Sequence, residues 1–137
     1  GCTSLTSAPA LPATYLVREC YHSMFNGCTR LASAPKLPAT TLEWGCYSEM
    51  FQGCTSLTSA PELPAKELIR NCYQLMFKDC SKLRYVKALF TTSPSEETTK
   101  DWLSGVAASG TFVKSKNATW NVTGVHSIPK GWKIETQ

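Results

Sequence analysis

The sequence predicts an α/β repeat solenoid closed by a β-rich C-terminal cap. Three observations lead there. A stretch of 26 residues recurs from Cys2, Cys28 and Cys54, and opens again at Cys80 before it decays. Within each copy, apolar residues fall four apart in one half, while a short Thr/Ser run ended by proline fills the other. After residue 105 the pattern stops, and glycine-punctuated apolar runs replace it. A fixed period in this range signals stacked units, because one unit cannot bury its apolar stripe alone.

The expected organisation is a solenoid over residues 2–105, with copies at 2–27, 28–53 and 54–79 and a degenerate copy at 80–105, then a capping segment at 106–137. Each copy sets a leucine three residues after its cysteine: Leu5, Leu31, Leu57 and Leu83. In the complete copies Ala-Pro-x-Leu-Pro-Ala follows. Segments such as Leu57–Ala60 suit a short strand, ended by Pro9, Pro35 or Pro61, which has no N–H to give a neighbour. Stacked, they predict a narrow parallel sheet. In the second half, Leu68, Cys72, Met76 and Cys80 keep to one drifting helical face, and Tyr73 and Phe77 widen it. Gly45 and Asn71 interrupt that half, so two short helical turns fit as well as one rod. A strand and a helix per unit is the logic of the leucine-rich repeat, and 26 residues lies inside that class's range.

The fourth copy keeps Cys80 and Leu83, but Arg84-Tyr85-Val86-Lys87 replaces the Thr/Ser-Ala-Pro run. Without that proline the strand is expected to run on through Val86, Leu89 and Phe90. Ser93-Pro94-Ser95-Glu96 reads as a helix start, with Ser93 as N-cap, Pro94 as first helical residue and Glu96 as capping-box partner. Trp102 and Leu103 fall where Met-Phe would, and Gly105 is the expected helix stop. Gly110–Lys114 and Trp132–Glu135 read as strands, with a turn at 127–131. Phe112, Trp120, Ile128 and Trp132 would shield the last open face.

These residues resemble the BspA-like leucine-rich repeats of bacterial cell-surface proteins. The resemblance rests on Cys-Thr-Ser-Leu-Thr-Ser-Ala-Pro-x-Leu-Pro-Ala followed by Cys-Tyr-x-x-Met-Phe-x-Gly-Cys, and on an ending from Trp102 to Gly105 through Gly110-Thr111-Phe112 to Ile128–Trp132. It implies a secreted or surface-anchored protein. Some members of that family attach to host matrix proteins or to other bacteria, which implies adhesion through protein binding.

Composition narrows the function classes. Residues 1–79 carry six Lys/Arg and six Asp/Glu, while 80–137 carry eight and four, so the net charge of +4 sits wholly in the second part. Its basic residues, among them Lys82, Arg84, Lys87, Lys114, Lys116, Lys130 and Lys133, are dispersed as on a solvated surface. A nucleic-acid surface would cluster them with stacking aromatics, so none is expected. No run is long and apolar enough for a membrane span. No capping unit precedes Cys2, so the chain is expected to be a piece of a longer protein.

The seven cysteines form two columns, 2/28/54/80 and 20/46/72. No pair has the C-x-x-C spacing of a zinc site, and an odd number fits a full disulfide framework poorly. On a continuous helix Cys72 and Cys80 would be about 12 Å apart, too far for the roughly 7 Å limit of a disulfide. The reading preferred is two buried thiol ladders, although an exported protein permits disulfides. His22 occupies a freely varying position, and residues two apart on a helix do not face each other, so Cys20 and His22 make no nucleophile pair. No cofactor, metal or catalytic group is expected. The Met-Phe pairs at 24–25, 50–51 and 76–77 are expected in the core. Asn117-Ala118-Thr119 and Asn121-Val122-Thr123 match a glycosylation acceptor pattern that is common by chance.

A binding surface is best sought where the copies differ. On the strand side Ser4, Arg30, Ser56 and Lys82 form one row, Thr6, Ala32, Thr58 and Arg84 a second, and Ala10, Lys36, Glu62 and Ala88 a third. Candidate partner-binding residues are Arg30, Lys36, Thr58, Glu62, Lys82, Arg84 and Tyr85, with Lys82, Arg84 and Tyr85 the strongest group because Tyr and Arg are enriched at binding hot spots. The expected function is a non-catalytic, extracellular or cell-surface module that binds a host matrix or bacterial surface protein. The alternatives are a structural spacer and, more weakly, glycan binding through exposed Tyr or Trp of the cap, such as Trp120.

Overall fold

Few regular elements appear in the computed structural model, which describes residues 1–137. They are strand β1 (Tyr85–Ala88), helix α1 (Glu96–Thr99), strand β2 (Thr111–Lys114) and strand β3 (Lys133–Thr136). The strands form one open parallel sheet in the order β1-β2-β3. Tyr85 pairs with Thr111, and Thr111 with Lys133; Ala88, Lys114 and Thr136 align at the other end.

This overturns the expected α/β repeat solenoid of leucine-rich units. The copies at 2–27, 28–53 and 54–79 contain no strand and no helix, and the molecule's whole helical content is the four residues of α1. In place of a strand per copy there are isolated parallel bridges, Ser7 to Ser33, Ser59 to Tyr85 and Leu63 to Ala88. The prolines at 9, 12, 35, 38, 61 and 64 explain the brevity, since none has an N–H for a ladder.

The expected helices fail for a different reason. An α-helix requires every N–H to bond four residues back. Here alternate N–H groups leave the local chain. Tyr47, Glu49, Phe51 and Gly53 donate to the carbonyls of Cys72, Gln74, Met76 and Lys78 at 2.8–3.1 Å. The residues between them, Cys46, Ser48, Met50 and Gln52, donate three residues back at 3.1–3.2 Å. The chain is thus a ribbon of consecutive tight turns with positive φ at every fourth residue, as at Gly45, Glu49 and Gly53. Such a ribbon repeats its faces every four residues. The period read as helical is the period of two turns.

Stacked rings lie beneath the ribbon. Tyr21, Tyr47, Tyr73 and Trp102 form one column, with centroids 5.8–6.1 Å apart. Phe25, Phe51 and Phe77 form another at 5.5–5.6 Å. Leu31, Leu57 and Leu83 are fully buried, as are Met50 and Met76. Met24 is not: it is 45% exposed, against the expectation for all three Met-Phe pairs. Its copy has a neighbour on one side only.

The cysteine columns are buried from Cys28 to Cys80, while Cys2 and Cys20 lie exposed, which corrects the expected ladders at their first rung. All seven are free thiols. Cys54 and Cys80 donate Sγ–H to the carbonyls of Phe25 and Phe51 at 3.2 and 3.0 Å. The small thiol therefore fills volume and also satisfies a backbone acceptor on the adjoining ribbon.

Around the fourth copy several local expectations are corrected. β1 ends at Ala88, short of Leu89 and Phe90. The N-cap of α1 is Ser95, not Ser93, and Pro94 lies outside the helix. Thr98, not Glu96, reaches back, its Oγ1 accepting from Ser95 N–H at 3.2 Å. α1 ends at Thr99, so Gly105 ends no helix; its φ of +78° belongs to the turn ribbon. β2 and β3 fall on the two runs read as strands. Beside them Phe112, Trp120, Ile128 and Trp132 are buried. Lys114, read as a surface cation, is buried too: its Nζ donates to the Trp120 carbonyl at 2.7 Å and lies 5.1 Å from that ring's centroid.

Candidate binding surface

Within β1 the faces alternate, with Val86 and Ala88 in the core and Tyr85 and Lys87 outward. Ahead of the strand Leu83 is buried while Lys82 and Arg84 are exposed, so Arg84 and Tyr85 are consecutive exposed residues. Backbone bonds knit this segment to its neighbours: Arg84 N–H donates to Thr58 at 3.0 Å, Ala60 N–H to Tyr85 at 2.9 Å, and Thr111 N–H to Arg84 at 2.9 Å. Thr58, Arg84 and Tyr85 therefore sit side by side on a hydrogen-bonded frame. Arg84 and Lys82 make no ion pair with any carboxylate.

Glu62 and Lys36 occupy a different place. Both line a shallow groove of ≈ 480 Å³ walled by Pro35, Pro38, Pro61 and Pro64. Glu62 is also tied to Lys87, Oε2 to Nζ at 3.5 Å, so its charge is partly spent within the molecule. Arg30 is exposed one copy away. The bonds that join its copy to the next there run from Ser56 Oγ and Thr55 Oγ1 to the Thr29 carbonyl, at 2.6 and 3.4 Å. No bond links Arg30 to Arg84. The seven candidates thus form a Thr58/Lys82/Arg84/Tyr85 group, a Lys36/Glu62 groove, and Arg30 apart.

Sequence reasoning missed Lys87 as the partner of Glu62. Its signal is the strand period, since Lys87 lies two residues from Tyr85 on the same face. Trp120 is expected to shield the core, and the weaker glycan alternative needs it exposed. The ring is buried, stacked on Phe90 at 5.2 Å, and its Nε1 donates to the Phe90 carbonyl at 3.2 Å. The shielding role is the one observed, and the use of Trp120 as a glycan platform is corrected.

Burial mutes the chemistry of the inner thiols and phenols. Burial pushes the thiols of Cys46, Cys54 and Cys72 up to about 12. Cys80 and the buried phenols of Tyr47 and Tyr73 rise as well, again through loss of water. A thiol held protonated is a poor nucleophile. His126 serves structure: its Nδ1 accepts from Asp101 N–H at 3.1 Å, and its carbonyl accepts from Thr99 Oγ1. No helix is long and apolar enough to cross a membrane.

Comparisons with protein-family models, with curated proteins and with solved structures each return no match.

Proposed function

We propose that the chain is a non-catalytic protein-binding module of a bacterial surface protein, and that its contact surface is centred on Lys82, Arg84, Tyr85 and Thr58. The observation that carries this reading is a grouping: Lys82 and Arg84, neither paired with a carboxylate, stand with exposed Tyr85 and Thr58 on a backbone joined by hydrogen bonds. Tyr and Arg are enriched at binding hot spots, and the backbone that carries them is already fixed by hydrogen bonds, so it adds little ordering cost of its own. An extracellular setting and a host matrix or bacterial surface protein as partner belong to the same reading.

The test is a solid-phase binding assay against immobilised host matrix proteins and whole bacteria. The variant carrying Lys82→Ala, Arg84→Ala and Tyr85→Ala should lose about tenfold or more in affinity. Binding should also weaken with salt, because exposed charges are screened. Binding unchanged in the triple variant removes this surface from the role. Absence of binding to every partner leaves a spacer without ligand.

A further inference from the structure

The turn ribbons have a direction. In the first three copies the outward N–H groups all point to the next copy. Near the ribbon's end, Phe25 and Gly27 donate to Met50 and Gln52 at 2.9 and 2.8 Å. Phe51 and Gly53 donate to Met76 and Lys78 at the same distances, and Phe77 and Asp79 to Trp102 and Ser104, again at 2.9 and 2.8 Å. One period further on, the equivalent donors are Leu103 and Gly105. The carbonyls of Trp102 and Ser104 face back toward Phe77 and Asp79, so these two N–H groups face forward.

Neither has an acceptor in the protein. The segment 122–128 closes the ribbon only in part. Trp102 Nε1 bonds to the Ser127 carbonyl at 2.9 Å, and the His126 ring takes the Asp101 N–H. The Ile128 carbonyl, which stands one period after Trp102, is occupied by Gly124 N–H at 2.9 Å. Leu103 and Gly105 are left lining a groove of ≈ 540 Å³, with Val106, Val125 and Pro129 as apolar wall and Lys130 at the side. Val125 is well exposed there.

We infer that this groove is a binding site for an extended peptide, held by its own main chain: two peptide carbonyls two residues apart accept from the N–H groups of Leu103 and Gly105, an apolar side chain meets Val106, Val125 and Pro129, and an acidic group reaches Lys130. The chemistry follows from the geometry. These donors belong to a series that takes peptide carbonyls in each preceding copy, so a peptide backbone is the ligand that reproduces their partners. Main-chain bonding supplies affinity and the wall and lysine supply selectivity, as in other modes where a chain adds to an unpaired backbone edge. Pairing exchanges the water on these donors for peptide carbonyls, a modest net gain for each bond, to which the apolar walls add. The inference does not depend on the surface around Arg84.

Amide NMR tests it in two arms. In the free protein, the amide protons of Leu103 and Gly105 should exchange with water much faster than those of Phe77 and Asp79. Protection of Leu103 and Gly105 to the level of Phe77 and Asp79 would overturn the inference, because it would mean that they are already bonded. The second arm titrates the whole chain with the acetylated tetrapeptide Ala-Val-Ala-Asp. Leu103 and Gly105 amide protons should move downfield, and Lys130→Glu should weaken the peptide about two- to fivefold. Val125→Asp should remove binding while the Phe77 and Asp79 resonances stay in place, which shows that the fold is intact. Shifts confined to other residues, or none at millimolar peptide, refute the site.

Discussion

Truncating Phe51 to alanine tests the ring column that supports the three copies. Phe51 is fully buried and lies between Phe25 at 5.6 Å and Phe77 at 5.5 Å. Phe→Ala in a core costs about 3–5 kcal/mol. Each stacked pair adds about 0.5–1.5 kcal/mol beyond area burial, and this residue belongs to two, so the upper part of the range is expected. Against a total stability of about 5–15 kcal/mol that is a severe loss. In urea the midpoint should fall with an unchanged slope, and the melting temperature should drop by roughly 10–25 °C at this chain length. Phe25→Ala is the internal control. Phe25 is slightly exposed and stacks on one ring only, so its truncation should cost less. Phe51→Leu keeps most of the volume and loses both stacks, and should fall between wild type and Phe51→Ala. The reasoning is refuted if Phe51→Ala costs under about 1 kcal/mol, far below the usual core cost, or if Phe25→Ala costs as much.

Tyr47 and Tyr73 bury hydroxyls that have no hydrogen-bond partner. Tyr73→Phe should therefore be neutral or stabilising by up to about 1–3 kcal/mol in urea melts, and a clear destabilisation would reveal a partner for that oxygen. The buried thiols predict alkaline weakening. Cys46, Cys54 and Cys72 rise from 9.0 to about 12, so native protons are retained where the unfolded chain has lost its own. Stability is full below about pH 9 and falls as pH climbs toward about 12, by roughly 1.4 kcal/mol per unit per thiol; a urea midpoint that stays flat across that window contradicts the burial. Gly105→Ala should destabilise by about 1–3 kcal/mol, because φ is +78° and an added Cβ would stand 3.2 Å from Asp79 Cα. Gly53→Ala, with a similar φ of +74° but only ordinary contact at 3.7 Å from Gly27, should cost less when the two are melted side by side. Met76→Ala should cost about 2–5 kcal/mol and Met24→Ala much less, since Met24 is 45% exposed; equal losses by calorimetry would mean that Met24 is covered.

The apolar positions were legible because they repeat. Leu31, Leu57, Phe51 and Phe77 stand out as buried from period alone. What the period could not distinguish was an α-helix from a ribbon of turns, since both return a face every four residues. The residues that separate the two were present. Gly45, Gly53, Asn71 and Asp79 occupy left-handed positions of the ribbon, and glycine, asparagine and aspartate are the types that accept that conformation. Leu75 and Glu49 obscure the signal by taking the same conformation with ordinary side chains. The tertiary bonds to the next copy hold them there. Helix propensity was outweighed by N–H groups that find better acceptors 25 residues away, such as Phe51 on Met76.

The candidate surface was legible only in part, and for a related reason. Exposure of Lys82 and Arg84 follows from alternation with Leu83, a pattern carried by the side chains. Whether a charge is free depends on what lies beside it in space. Glu62 looks as available as Arg84 in the sequence, yet Lys87 holds it. The groove beside Lys130 is further out of reach, because its two functional atoms are backbone hydrogens. Leu103 and Gly105 carry no side-chain clue to their role. It arises from the ribbon's polarity: the outward N–H groups of each copy take the carbonyls of the next, as Phe77 and Asp79 take those of Trp102 and Ser104. The cap does not continue that series, since the Ile128 carbonyl is taken by Gly124 N–H, and Leu103 and Gly105 donate to no acceptor. Those donors lie in a walled groove with a lysine, which suits them to hold a ligand.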